Sequence, residues 1–150
     1  AASALCATCA SHYNPDGFGG DTTQDDAQQY NVVDGNAGTA WSTEVYYDHT
    51  LGKPGVGIYV WAPASTRVRE LRLITVTPGW NGQIWGTNSQ PNLGSFTQSG
   101  WQHLADVASV KRHQSVALPG HRPYRYYLVW ITLLPPQSKY ASISEIKLYR

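Results

Sequence analysis

The segment Val33-Asp34-Gly35-Asn36-Ala37-Gly38-Thr39-Ala40-Trp41-Ser42 concentrates side chains that carry oxygen. Asp34, Asn36 and Thr39 stand among small residues, and Gly35 and Gly38 let the backbone fold back, so a carboxylate and several carbonyls can converge on one point. Coordination by oxygen alone suits a hard cation such as Ca²⁺. The helix-loop-helix calcium template does not fit, because Gly38 stands where an oxygen ligand belongs and Val45 where the bidentate Glu belongs. An ion here must take a ligand from elsewhere, and Glu145 is the candidate. The apolar alternation Ala141, Ile143 changes phase before Ile146, Leu148, as at a β-bulge, and Glu145 lies at that change. Without an ion, the first segment reads as a turn capped by an Asx side chain, and Glu145 as an exposed strand carboxylate or the partner of an Arg.

Cys6 and Cys9 form a C-x-x-C. A thioredoxin-type site needs a helix start after the second Cys, whereas Ala10-Ser11-His12-Tyr13-Asn14-Pro15 reads as a strand running into a turn. Zinc would need a second C-x-x-C or a His pair, and neither is present. In a straight strand, residues three apart lie about 10 Å apart and face opposite ways, so a disulfide requires a bend. A local bridge and two free thiols are both compatible with the spacing.

Catalytic motifs are lacking: no G-x-S-x-G, no H-E-x-x-H and no phosphate-cradling glycine loop with a Lys occurs, and His12, His49, His103, His113 and His121 share no ligand spacing. A pair of acids for glycoside hydrolysis is formally open, since sequence does not measure their separation. The aromatic residues are the stronger lead. Sugars stack their C–H faces on Trp and Tyr while amides, carboxylates and guanidinium groups bind the hydroxyls. Trp41, Trp61 and Trp130 lie in or beside strands and read as core, whereas Tyr46, Tyr47, His49, Trp80 and Trp101 adjoin turns and loops and are the candidates for a binding face.

Short runs rich in Val, Ile, Tyr, Trp and Thr recur between Gly, Pro and Asn clusters, an all-β pattern. Strands are expected at 4–12, 56–61, 68–77, 82–87, 101–107, 114–118, 124–133 and 142–149, with a short helical turn at 25–30. The stretch 126–133 is apolar on both faces and reads as a central strand. The irregular stretches 14–31 and 86–100 are loops, where binding groups usually lie.

Length and charge bound the rest. The 150 residues, with 11 Lys+Arg against 10 Asp+Glu, fit one domain with a real core. A net charge of +1 offers no strong field for nucleic acid or an anionic membrane. The basic positions Arg67, Arg69, Arg72, Lys111, Arg112, Arg122 and Arg125 read as solvated strand faces. The longest apolar run, 126–134, is far short of the roughly 20 residues that cross a bilayer, so direct membrane insertion is not expected.

Asp34-Gly35-Asn36 followed by Thr39-Ala40-Trp41-Ser42, together with the closing Ile143-Ser144-Glu145-Ile146-Lys147-Leu148, resembles the discoidin, or coagulation-factor type C, branch of the galactose-binding-like β-sandwiches, over nearly the whole chain. The resemblance implies a jelly roll of about eight strands over residues 1–150. It also implies a structural Ca²⁺ bound by the Asp34 and Glu145 side chains, with Val33, Asn36 and Thr39 supplying carbonyl or hydroxyl oxygen. Cys6 and Cys9 are not part of that pattern. A narrower likeness, carried by Lys53-Pro54-Gly55-Val56-Gly57-Ile58-Tyr59-Val60, Thr77-Pro78-Gly79-Trp80 and residues 126–135, is to the extracytoplasmic C-terminal module of actinobacterial membrane proteins with kinase-like domains, including MurJ-type lipid II flippase relatives. It implies an exported domain on the cell-wall side of a membrane, tethered by a segment outside this sequence. The functional expectation is a non-enzymatic recognition module for a glycan or cell-envelope component; the alternative is a scaffold or sensor domain that binds a protein partner and no sugar.

Overall fold

The computed structural model of the chain describes residues 2–3, 5–14, 26–46, 51, 54–92 and 95–150. Among them are nine strands: β1 (Ala10–Tyr13), β2 (Trp41–Ser42), β3 (Val56–Thr66), β4 (Glu70–Thr75), β5 (Asn81–Thr87), β6 (Gln102–Val107), β7 (His113–Ala117), β8 (Tyr124–Leu133) and β9 (Ser142–Tyr149). They form two antiparallel sheets, one in the order β1-β3-β8-β5-β6 and the other β2-β9-β4-β7. Two 3-10 helices, Asp26–Val33 and Thr97–Ser99, are the helical elements of the described residues.

Alternation decides what faces inward. Val56, Ile58 and Val60 of β3, and Tyr127, Val129 and Ile131 of β8, pack across the sandwich against Leu71 and Leu73 of β4 and Ile146 and Leu148 of β9. The residues between them, Tyr59, Tyr126, Leu128 and Trp130, point the other way and join Tyr13 and Trp101 in a second buried cluster on the outer face of the five-stranded sheet. Trp61, Trp85 and Phe96 pack at its margin. Strand β8 is thus covered on both faces, as its sequence requires. Its neighbour β3 is held close: a Cβ at Gly57 would lie 2.1 Å from the Val129 carbonyl oxygen, so this position of the β3–β8 pair admits only glycine.

The segment after β5 folds over the outer cluster, and Tyr13 fastens it. The Tyr13 hydroxyl accepts from Trp101 Nε1 (3.1 Å) and lies 2.8 Å from Ser99 Oγ. Ser99 Oγ in turn accepts from the Asn92 N–H at 2.8 Å.

Most strand expectations match within a few residues, with three differences. The first strand begins at Ala10, because residues 6–9 form a turn closed by a Cys6–Cys9 disulfide with a Cα separation of 5.1 Å. The bend that the spacing demands is there, and the Cys9 N–H donates to the Cys6 carbonyl at 3.1 Å. Strand β2 has no counterpart among the expected strands; two residues are too few to show alternation, and pairing with Ile143 and Ser142 defines it. The helical turn expected at 25–30 is, among the described residues, a 3-10 helix over Asp26–Val33.

The outer cluster makes a specific demand. Tyr13→Phe leaves the buried Trp101 N–H without its acceptor and should cost about 1–3 kcal/mol. Urea unfolding followed by tryptophan fluorescence measures this, and a midpoint unchanged from wild type would show that the loop is not fastened there.

Candidate functional site

The turn after the first 3-10 helix is built by its own side chains. Val32 is fully buried and fixes the helix end, and Asn31 Nδ2 donates to the Ala40 carbonyl at 2.8 Å, closing the turn from outside. Gly35 takes a left-handed φ of +74°, a conformation that costs glycine little. The Asn36 N–H donates to Asp34 Oδ1 at 2.9 Å and the Gly38 N–H to Asn36 Oδ1 at 2.8 Å. The Thr39 hydroxyl lies between Asp34 Oδ2, to which it donates, and the Asn36 carbonyl oxygen at 3.1 Å.

Glu145 comes to this turn from the other end of the chain. In the β4–β9 pair, Ile74 opposes Glu145 while Thr75 opposes Ile143, so Ser144 is the extra residue of a bulge. The phase change read in the sequence is this bulge, and it sets Glu145, only 5% exposed, beside Asp34 and the Asn36 N–H. One of its oxygens, Oε1, is buried with no hydrogen-bond partner.

Two adjacent carboxyl groups without a cation do not both ionise readily. Burial, then the hydrogen bond and negative charge of Asp34, push Glu145 up to about 7, with Lys147 opposing. Asp34 is the ionised partner. Desolvation is the largest single influence and works against it, but together the Thr39 hydroxyl, the Asn36 N–H and the Glu145 carboxyl hold it below the usual carboxylate range. The donor set is oxygen throughout, and its buried, unpartnered carboxylate oxygen fits a hard cation. Among the described residues no three His, Cys, Asp or Glu side chains cluster, so a cation would take its remaining ligands from carbonyl, amide or hydroxyl oxygens.

The expected aromatic face is only partly assembled. Tyr46 is half-buried, packs against the inter-sheet core, and donates its N–H to the Lys139 carbonyl at 2.7 Å. Tyr47 and His49 lie outside the described residues. Trp80 is fully buried between the sheets, with Nε1 donating to Thr75 Oγ1 at 3.1 Å. Trp101 is buried in the outer cluster. Both indoles are covered and offer no stacking surface: adjacency to Pro78-Gly79 and Gly100 puts their backbones at turns, but their side chains reach inward. Trp41 and Trp130 are core as expected, and Trp61 is half-buried at the cluster margin.

Sequence reasoning misses the exposed side chains beside Tyr46. Tyr140, 40% exposed, lies on the segment hydrogen-bonded to residues 43–46 through Thr43 N–H to the Ala141 carbonyl and Tyr46 N–H to that of Lys139. Val45, after β2, and Val76, after β4 with its N–H donating to the Ser142 carbonyl, are exposed at the same end of the four-stranded sheet. A tyrosine between Lys139 and Ala141, just ahead of a strand, carries no periodic signal.

Comparison with solved structures now has a geometry to meet. Chitosan-binding module 1, derived from a chitosanase/glucanase from Paenibacillus sp. IK-5, superposes over 99% of this chain and 96% of its own, with a TM-score of 0.66 and 16% identity. The fold is a galactose-binding-like β-sandwich. CBM32-3 from a family 31 glycoside hydrolase of Clostridium perfringens matches this sandwich over 99% of the chain and 94% of its own (TM-score 0.65, 14% identity). The CBM32 of AlyQ, in complex with 4,5-unsaturated mannuronic acid, does so over 100% and 98% (TM-score 0.60, 14% identity). No protein-family model and no curated protein sequence matches the chain.

The carboxyl pair gives a pH signature. Because folded Glu145 holds its proton up to about 7 while the unfolded group releases it near 4.5, the native state binds more protons across that window, and stability falls as pH rises through it. The depressed Asp34 acts only at more acidic pH, where its stabilising contribution is lost as pH falls. In chelator, thermal melting from pH 5 to 7.5 should show a declining midpoint that Glu145→Gln flattens; parallel profiles would dissociate Glu145 from the effect.

Proposed function

We propose that this chain is a non-catalytic carbohydrate-binding module, with a structural Ca²⁺ at the Asp34 turn and a recognition surface at the loop end that carries Tyr46 and Tyr140. The observation that carries this reading is the match of the whole sandwich, end to end, to modules named for chitosan or carbohydrate binding. The site chemistry supports it. Asp34 and Glu145 are in hydrogen-bond contact, closer than the separation of about 5 Å or more that paired glycosidase carboxyls keep, and so suit a shared cation better than catalysis.

In this reading Ca²⁺ is held by the carboxylates of Asp34 and Glu145, with oxygens of Val33, Asn36 and Thr39 as further ligands. It replaces the proton between the two carboxyls and ties the first turn to the last strand. Tyr140 and Tyr46, with Tyr47 and His49 of the adjoining stretch, receive the glycan or cell-envelope component. The Cys6–Cys9 disulfide favours an oxidising compartment, in keeping with a module displayed outside the cytoplasm, on the cell-wall side of a membrane, as part of a larger anchored protein. The exposed Val45, Val76 and Tyr140 also suit a protein partner, and this is the second reading.

An ion that binds only the folded chain raises its melting temperature with concentration. Calcium should therefore stabilise the wild type relative to chelator, and Asp34→Ala and Glu145→Ala should each remove the shift; equal melting in both buffers refutes the calcium site. A glycan array followed by titration of the best hit should move Tyr46 and Tyr140 resonances, and Tyr140→Ala should weaken binding about tenfold, the scale of one lost aromatic contact. No hit on the array, with a protein recovered in a pull-down that Tyr140→Ala abolishes, would favour the second reading.

A further inference from the structure

Where the chain crosses from β7 back to the five-stranded sheet, residues 118–123 leave an opening toward the space between the sheets. It holds about 290 Å³, close to the lower end of the range of small-ligand sites, about 300–1,000 Å³. The floor is apolar. Val68, Leu118 and Tyr127 are buried core residues, and Leu104 and Tyr124 pack against that core while staying half-buried. Gly86 makes room for this wall, since a Cβ there would lie 2.9 Å from the Tyr124 ring and 3.1 Å from Leu104 Cδ1. The Tyr127 hydroxyl donates to the Thr66 carbonyl at 2.6 Å, so its ring serves the opening only as apolar surface.

The mouth has the opposite character. Gln102, His121 and Arg122 are exposed around it, and no Asp or Glu lines it. Gly120 turns the chain there with a left-handed φ of +66°, and a Cβ at that position would come within 3.0 Å of Arg69 Cγ. The stem of Arg69 therefore lies along the turn, which sets a second guanidinium beside the residues that carry His121 and Arg122. Neither arginine side chain has an ion pair or hydrogen bond among the described residues. The acids of neighbouring strands are engaged elsewhere. Glu70 binds Arg72 at 3.0 Å and accepts from the Ser115 hydroxyl at 2.7 Å, and Asp106 meets His103 at 2.8 Å on the side where His103 packs against Trp85. A recess walled by apolar groups and rimmed by one sign of charge concentrates the field at its mouth and draws in the opposite charge.

We propose that this opening binds a small apolar carboxylic acid, its hydrocarbon body entering over Leu104, Leu118 and Tyr124 and its carboxylate held at the mouth by Arg122, with Arg69 adding positive charge. The guanidinium fork matches a carboxylate in shape as well as charge. Scaled from a cavity that just admits benzene, the volume suits a ligand of about a dozen non-hydrogen atoms. The opening lies beside Arg69, whose N–H donates to the Tyr149 carbonyl at 2.8 Å, at the other end of β9 from Tyr140. It shares no residue with the loop-end surface or the Asp34 turn, so the proposal does not rest on the carbohydrate-binding reading.

The test is titration of the ¹⁵N-labelled chain with 4-phenylbutyrate. Two comparisons separate body from charge: 4-phenylbutyramide has the same shape and no charge, and acetate has the charge and no body. The acid should shift amides of residues 102–104 and 118–122 with a Kd of about 1 mM or tighter, the scale for a ligand of this size. It should bind about tenfold more tightly than the amide, as one charge-assisted hydrogen bond allows, and acetate should give no saturable shift over the same range. Arg122→Gln, at an exposed position, should melt with the wild type, lower the acid to the affinity of the amide and leave the amide unchanged. Leu104→Gln should weaken acid and amide alike. Equal affinity of acid and amide, saturable binding of acetate, an unchanged affinity for the acid in Arg122→Gln, or shifts confined to other parts of the chain would each overturn the proposal.

Discussion

A strand that is apolar on both faces needs cover on both sides, and β8 imposes that requirement on the whole molecule. On its inner face the requirement is met by the second sheet, which brings β4 and β9 across the sandwich. On its outer face the aromatic cluster and the segment fastened to the Tyr13 hydroxyl meet it. Residues 88–92 and 95–101, which include the short 3-10 helix, thus act as a roof. The aromatic content of the chain is explained in large part here, in packing and not in ligand contact.

Cover for β8 also fixes where the two carboxyls meet. Once β9 pairs with β4 and packs over β8, its bulge at Ser144 turns Glu145 toward the turn that follows the first 3-10 helix. Glu145 and Asp34 are 111 positions apart in the sequence, and neither would have the other as neighbour without the sandwich. A carboxyl pair that cannot ionise fully without a cation is a local conflict within an otherwise consistent fold, and such conflicts are expected at functional positions.

Legibility in the sequence follows the range of the interactions concerned. The double-sided apolar run of β8 and the broken alternation around Glu145 are properties of single segments, and both are legible in the order of residues alone. The disulfide bend lies in between: spacing shows that a bridge needs a bend but not that the chain makes one. Trp80 and Trp101 depart from expectation because a neighbouring turn says where a backbone runs and nothing about which way an indole points. Tyr140 gives no signal, since its exposure depends on a pairing with residues 43–46.

The N-terminal segment contributes something beyond an extra rung. Ala2 bridges to Tyr149, and the Ser3 N–H donates to the Leu148 carbonyl at 2.8 Å, so the polypeptide enters and leaves at one pole. The Tyr140 edge lies past the opposite end of β9, about 23 Å away for an eight-residue strand. A tether, fusion partner or neighbouring module joined at either terminus would hang from the same side, with the far pole left pointing outward like the head of a pin.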